Sequence, residues 1–252
     1  MIELTPHNPH PIHLAHPYVV AAGALGFGIH TASIVHQIAP AALITPSITL
    51  HGRSPDGPNK LFEHRHGLIY AEPWHDPGVQ WVGRRCTPVW AEWEIPVIVS
   101  LDGNDADVIS ATRELDQVEG IAGFEVTFAV DQPINDDFMT KLRRAASLPL
   151  IIKLPFADPH LLMPLVTLCA QHHIDALTIS APPHVNGGRM LTPSLFPLTL
   201  YACEYLSAQT SIPIMACGGV NDHKQAQSAL ATGAVAVQFG SVLLRNPLAF
   251  KE

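Results

Sequence analysis

The sequence has few charges, and its cationic residues form no long run. Only 14% of the 252 residues are charged, and the formal net charge is −8. A chain of this charge, without a basic patch in its sequence, is not expected to bind nucleic acid. No apolar stretch reaches the ~20 residues that a membrane helix requires, so no membrane partner is expected either.

Cysteine is also scarce, and its spacing excludes the common cysteine motifs. Cys86, Cys169, Cys203 and Cys217 lie far apart, with no C-x-x-C pair among them. Such a pattern is typical of reduced, buried thiols in a cytosolic protein. The first residues, MIELTPHNPHP, lack the basic and apolar segments of a signal peptide. We therefore expect a cytoplasmic location.

Histidine is frequent, with 15 copies, but its pattern does not predict a metal site. His7, His10, His13 and His16 recur every third residue, and prolines are interleaved with them. Proline fixes an extended or turning backbone, so these rings do not share a helix face as H-x-x-x-H ligands do. No metal is predicted.

Two apolar runs near the C-terminus each end in glycine. Residues 213–216 lead into Gly218 and Gly219, and residues 235–239 lead into Gly240. Glycines just past neighbouring parallel strands let backbone N–H groups approach an anion. In barrels a phosphate commonly sits at the loops after strands seven and eight. The pattern therefore predicts a phosphate site, with tight turns between strand and helix as the structural alternative.

Eight short apolar runs alternate with helical patterns along the chain, and most lack the alternation of a half-exposed strand. This pattern predicts a parallel sheet buried on both faces. A chain of 252 residues matches the ~250 residues of a (β/α)₈ TIM barrel. We predict one TIM-barrel domain over residues 1–252, with a long excursion after strand 2, residues 46–95, that crosses the mouth of the barrel. The alternative fold is a doubly wound open sheet. In that fold, the glycines that follow strands one, seven and eight would have no common structural reason.

Four motifs, in this order, resemble those of the dihydroorotate dehydrogenase family, FMN-containing α/β barrels of pyrimidine biosynthesis. HPYVVAAGALGFG is similar to the family's opening strand and turn, and residues 42–79 resemble its second strand and following loop. LPLIIKLPF resembles its "vKLsP" strand, and the segment from IPIMACGGV to VQFGS resembles its closing glycine motif. The resemblance runs from about residue 14 to about residue 247.

The resemblance implies an FMN across the carboxyl ends of the strands. Lys153, also a candidate catalytic residue, would face the N1/O2 edge of the flavin, where a cation stabilises the reduced anion. The alternative for Lys153 is a structural lysine paired with a carboxylate such as Glu125. The implied cofactor-binding residues are Ala22, Gly23, Ser47, Lys153, Ser180, Gly187, Gly188, Gly218, Gly219, Gly240 and Ser241.

The family's substrate motifs are altered in this chain. Val130 stands where the family has its cysteine or serine base, and loss of a general base costs ~10²–10⁴ in rate. Pro46 replaces a flavin-contacting lysine, and Tyr70 and Ile179 replace asparagines that bind orotate. Asp131, one position further on, is the candidate for a replacement base.

Three functions fit these observations. The first is an FMN-dependent oxidoreductase that oxidises dihydroorotate or a related small molecule. The second is a catalytically inactive relative that binds an anion, a ligand or a partner protein. The third is an aldolase-type barrel in which Lys153 forms a Schiff base with a phosphorylated carbonyl substrate. The expected partners are a small-molecule substrate or a phosphate-bearing ligand, and a homodimer is compatible with the sequence.

Overall fold

A computed structural model describes residues 1–54, 60–71, 75–127 and 135–250, in which the strands alternate with helices as expected. The strands, in chain order, are β1 (Ile2–Glu3), β2 (His13–Leu14), β3 (Tyr18–Val20), β4 (Ala42–Ile44), β5 (Leu61–His64), β6 (Gly67–Tyr70), β7 (Val97–Leu101), β8 (Gly123–Thr127), β9 (Leu150–Leu154), β10 (Ala176–Ile179), β11 (His184–Val185), β12 (Gly188–Leu191), β13 (Ile214–Cys217) and β14 (Ala236–Phe239). The helices are α1 (Ala32–Ile38), α2 (Val79–Arg85), α3 (Thr87–Trp90), α4 (Asp105–Leu115), α5 (Asp136–Ala145), α6 (Pro159–Gln171), α7 (Phe196–Ser207), α8 (His223–Ala231) and α9 (Ser241–Arg245).

Eight parallel strands close into a barrel, in the order β3, β4, β7, β8, β9, β10, β13 and β14. The closing pair is β14 with β3, in which Phe239 lies opposite Val20. The predicted TIM barrel is therefore confirmed, and the open-sheet rival is excluded. Asn135 caps the start of α5, where its side chain accepts a hydrogen bond from the backbone N–H of Phe138 at 2.8 Å.

The interior of the barrel changes from apolar to polar along the strands. Residues two apart in a strand face the same way, so an inward apolar residue is followed by another inward residue two positions later. The lower layer includes Ile98, Ile151, Ala176, Met215 and Ala236, all fully buried. The residues two positions later are Ser100, Lys153, Thr178, Cys217 and Gln238. The polar side chains are therefore concentrated at the carboxyl ends of the strands.

The amino-terminal segment forms a plug that the sequence pattern did not indicate. β1 and β2 pair antiparallel, with Ile2 opposite Leu14. Leu4 and Leu14 are completely buried and join the lower apolar layer of the barrel. This amino-terminal segment, rich in proline and histidine, therefore contributes apolar residues to the core.

The excursion of residues 46–95 contains more regular structure than its sequence indicated. It holds the β5–β6 hairpin and the helices α2 and α3. β6 pairs antiparallel with β12, which follows β10, and the resulting four-stranded sheet has the order β11, β12, β6, β5. We call this sheet the lid sheet. Within the described ranges, no helix has the length and apolar character of a membrane span.

A buried carboxylate, that of Asp76, joins Thr49 to Gly78 and so closes the part of the excursion that contains the β5–β6 hairpin. Asp76 is only 6% exposed. Its carboxylate accepts hydrogen bonds from the backbone N–H of Thr49 at 3.0 Å, from the Thr49 hydroxyl at 3.2 Å and from the backbone N–H of Gly78 at 3.1 Å. Its main chain exchanges two further hydrogen bonds with that of Arg53.

We expect Asp76→Ala to destabilise the protein by about 2–4 kcal/mol, because it leaves several buried donors without their acceptor. Urea unfolding followed by circular dichroism measures this change. Asp137→Ala is the matched control, because the Asp137 side chain is 73% exposed and pairs only with Lys141 on the surface. Equal midpoints for the two variants would contradict the role given to Asp76.

Candidate active site

A cavity of about 440 Å³ lies at the carboxyl ends of the barrel strands. Its floor includes Lys153, Cys217 and Gln238 from the polar layer, and its wall includes Tyr70 and Arg189 from the lid sheet. Small-molecule sites usually measure ~300–1,000 Å³ and combine an apolar lining with a few polar groups. The cavity fits that description, with apolar residues such as those at positions 190, 191 and 195 beside the polar ones.

Nine of the eleven residues predicted to bind the cofactor line this one cavity. Gly187, in the turn between β11 and β12, and Gly188, the first residue of β12, do not line it. Asp131 and Val130 lie outside the described residues. The nine lining residues are Ala22, Gly23, Ser47, Lys153, Ser180, Gly218, Gly219, Gly240 and Ser241.

Four backbone N–H groups at the ends of β13 and β14 are left without a protein acceptor. The N–H groups of Gly218, Gly219, Gly240 and Ser241 donate no hydrogen bond within the described part of the chain. All four residues line the cavity. Backbone donors at neighbouring strand ends form a cradle for an anion such as a phosphate.

The turn after β13 needs glycine for its shape as well as for anion access. Gly218 and Gly219 have φ values of 120° and 75°, which other residues rarely adopt. A Cβ on Gly219 would lie 2.4 Å from the backbone nitrogen of Phe196, at the start of α7. Gly240 has a φ of −119°, so its backbone conformation does not require glycine. The tight turn at Gly218 and Gly219 is therefore confirmed, and the phosphate site stays a prediction.

Lys153 is part of a closed hydrogen-bond network in the floor. Its ammonium donates to Glu125 Oε1 at 3.0 Å and to Gln238 Oε1 at 3.4 Å. Glu125 Oε2 accepts from the Thr178 hydroxyl and from Gln238 Nε2, each at 2.8 Å. The third ammonium N–H has no acceptor among the described residues, so Lys153 keeps a donor for a ligand. The structural pairing of Lys153 with Glu125 is confirmed, and Lys153 also lies in the cavity floor.

The network keeps Lys153 protonated. Burial lowers the pKa of the Lys153 ammonium, but the charge of Glu125, the neighbouring Cys217 and the hydrogen bond to Glu125 together raise it by more, so the net pKa lies above the ordinary 10.5. The charge of Arg189 lowers the pKa of Lys153 and so opposes part of this rise. Burial raises the pKa of the Cys217 thiol and of the Tyr70 phenol, so both are neutral at pH 7.

The lid sheet supplies site residues that the sequence did not reveal. Arg189, Met190 and Leu191 of β12 line the cavity beside Thr192, whose hydroxyl donates to the His66 carbonyl at 2.6 Å. Gln238 and Thr178 were also missed, although each is an isolated polar residue in an apolar strand. A lone polar residue in an apolar strand predicts a hydrogen-bonded site, since a buried polar side chain needs a partner from a neighbouring strand.

The altered family positions fall into two groups. Pro46 and Tyr70 line the cavity, so they change the surface that a ligand meets. Ile179 is completely buried and is not part of the lining. His75 and Asp102 are ionisable residues of the lining, and Asp102 is paired with Arg53 at 2.7 Å.

The chain is similar to a monooxygenase family and to the catalytic subunits of a dehydrogenase. The family model for nitronate monooxygenase matches residues 186–246, which include the N–H cradle. The catalytic subunit of dihydroorotate dehydrogenase B (NAD(+)) from Desulforudis audaxviator is 27% identical over 93% of this chain and 85% of the relative. The subunits of the same description from Pelobacter propionicus and Geotalea daltonii are each 24% identical, over 96% and 94% of this chain and 88% and 87% of the relatives. The resemblance drawn from the four motifs is confirmed.

We expect Glu125→Gln to destabilise the protein by about 3–5 kcal/mol at pH 7, because it leaves a buried ammonium without its counter-ion. In the parent protein the raised pKa of Lys153 gives a stabilisation that is present below pH 10.5 and is lost as the pH rises through the folded value. In Glu125→Gln the main cause that raises the pKa of Lys153 is removed, while burial and the charge of Arg189 still lower it. The loss of stability relative to the parent protein should therefore shrink as the pH rises.

Urea unfolding of both proteins at pH 7 and pH 10 measures this effect. The control is Glu125→Gln combined with Lys153→Met, which removes the unpaired charge and should recover part of the lost stability. A deficit that grows with pH, or a double variant no more stable than Glu125→Gln, would contradict the ion-pair account.

Proposed function

We propose that the chain, which is similar to the dihydroorotate dehydrogenase family, is an FMN-dependent oxidoreductase acting on a small molecule, dihydroorotate or a related compound. The observation that carries the proposal is the arrangement of the cavity. Four backbone N–H groups that have no acceptor among the described residues and the Lys153 ammonium line the same space at the carboxyl ends of the barrel. A phosphate and an electron-rich ring edge in one ligand match these two features.

The residues present fit FMN at each end of the cavity. Gly218, Gly219, Gly240 and Ser241 would hold the phosphate through their N–H groups. Gly23 adopts a φ of 77°, and the absence of a side chain there leaves space in the cavity beside Ala22 for a ring. When bound, FMN would supply the capacity to accept a hydride from the substrate. The role of Lys153 is to keep a positive charge in the cavity wall through its bond to Glu125.

The ion pair also disfavours the Schiff-base alternative. Imine formation needs the neutral amine of Lys153 as the nucleophile. The pairing with Glu125 raises the pKa of Lys153 above 10.5, so the amine has no lone pair available at neutral pH. An aldolase-type reaction would need a lowered pKa at this lysine.

The residues around the cavity also bear on which substrate is oxidised. Val130 has no proton to exchange, and the Tyr70 phenol in the cavity wall is a donor with a raised pKa rather than an amide. A substrate related to dihydroorotate but bound through other contacts fits these changes better than dihydroorotate itself. Arg189 adds a cation near Lys153, which favours an anionic small molecule.

FMN uptake by the purified protein tests the proposal. We expect about one FMN per chain after removal of free flavin, and weaker binding of riboflavin, which lacks the phosphate. Ser241→Asp places a carboxylate at the N–H cradle and should weaken FMN at least ~10-fold while leaving riboflavin unchanged. Ser228→Asp on α8 is the matched control, because it adds the same charge away from the cavity.

Failure to take up FMN would eliminate the oxidoreductase proposal and leave the ligand-binding or partner-protein alternative. If FMN binds, anaerobic addition of dihydroorotate to the loaded protein separates the two substrate classes. Bleaching of the flavin absorbance assigns dihydroorotate. If the flavin absorbance is retained, either a related compound is the substrate or the protein is catalytically inactive. A panel of small carboxylates then distinguishes these two cases.

A further inference from the structure

A second cavity, of about 520 Å³, lies on the excursion and is separate from the cavity at the carboxyl ends of the strands. Its lining comes from residues 50–51, from residues 77–78 and from α2, and none of these residues lines the first cavity. We call this space the α2 cavity. Its volume is within the ~300–1,000 Å³ of small-molecule sites. Its polar and aromatic side chains are those of His51, Gln80, Trp81, Arg84 and Arg85.

Two adjacent arginines give the α2 cavity a positive lining. Arg84 and Arg85 are both exposed, and neither makes an ion pair or a side-chain hydrogen bond within the described part of the chain. No acidic residue is among those that line the cavity, although the chain has 22 acidic and only 14 basic residues. Guanidinium groups bind phosphate through paired N–H donors, so this lining suits a phosphate.

An indole ring lies in the same lining as the two arginines. Trp81 is 38% exposed, and its ring packs on that of Phe27 with the centroids 5.7 Å apart. Trp81, Arg84 and Arg85 occupy positions i, i+3 and i+4 of α2, which places them on one side of the helix. Aromatic rings stack on nucleobases of any kind, and the Gln80 amide has both a donor and an acceptor for the edge of a base.

The segments that frame the α2 cavity are held together without a ligand. A Cβ on Gly78 would lie only 2.8 Å from the backbone nitrogen of Gly52, so the two segments are in close contact. The buried carboxylate of Asp76 accepts from the N–H of Gly78 at 3.1 Å and from the Thr49 hydroxyl at 3.2 Å. The start of α2 is therefore fixed against the segment that carries His51, and a ligand has little backbone to order when it binds.

We propose that the α2 cavity binds a nucleoside monophosphate, with its base on Trp81 and its phosphate at Arg84 and Arg85. Free phosphate would leave the indole and the Gln80 amide without a role, and an uncharged aromatic compound would leave both guanidinium groups without an anion. The proposal does not rest on FMN binding, because the two cavities share no lining residue.

Isothermal titration calorimetry of the full chain with AMP and with UMP tests the proposal. We expect both to bind, because stacking tolerates any base, and adenosine or inorganic phosphate alone to bind more weakly. Arg84→Gln and Arg85→Gln should each weaken AMP at least ~10-fold, because each removes charge-assisted hydrogen bonds. Arg144→Gln is the matched control, since Arg144 is an exposed arginine of α5 outside the α2 cavity, and it should leave the affinity unchanged.

Two further variants separate the parts of the ligand and the two cavities. Trp81→Leu should weaken AMP at least ~5-fold and leave the affinity for inorganic phosphate unchanged. Ser241→Asp, which places a carboxylate at the N–H cradle of the first cavity, should bind AMP as the parent protein does. Loss of AMP binding in Ser241→Asp, with binding retained in both arginine variants, would place the nucleotide in the first cavity and overturn the proposal.

Photolabelling with 8-azido-AMP locates the nucleotide without relying on the stability of any variant. Peptide mapping should find the label within residues 50–51 or 77–85, and excess AMP should prevent the labelling. A label on residues 217–219 or 240–241 would contradict the assignment. The absence of AMP and UMP binding at millimolar concentration would also overturn it.

Discussion

A positive charge held inside the barrel is the constraint on which the rest of the site depends. The Lys153 side chain is 6% exposed, so its ammonium is stable there only because Glu125 faces it at 3.0 Å. Glu125 is in turn held by Thr178 and Gln238, so four strands each contribute one member of the network. Removing any member leaves a polar group buried without its partner. The cavity above the network therefore has a cation in its wall whether or not a ligand is bound.

The barrel could be predicted from the sequence because its strands and helices follow local rules. Strands buried on both faces give continuous apolar runs such as that of β7, and helices such as α5 begin at a capping side chain such as Asn135. The cradle was also predictable, because the turn after β13 requires positive φ at Gly218 and Gly219. Lys153 was conspicuous as a charge in an apolar strand, and its partner Glu125 was conspicuous for the same reason.

The rest could not be predicted because it depends on contacts between distant segments. β6 and β12 are more than one hundred residues apart, and their pairing places Arg189 in the cavity wall and Gly188 outside the lining. β1 and β2 have two residues each, too few for a periodic signal, yet they position Leu4 and Leu14 beneath the barrel. In both cases the tertiary environment determines the structure, and local propensity carries little information about it.

The central claim is that the end of the barrel that carries Lys153 is a flavin site with its phosphate on the N–H cradle. A crystal structure of the protein grown with FMN tests this claim most directly. The account predicts phosphate density within hydrogen-bond distance of the N–H groups of Gly219 and Ser241, and the ring between Gly23 and Lys153. A flavin bound elsewhere, or a cavity that stays empty at saturating FMN, would contradict it.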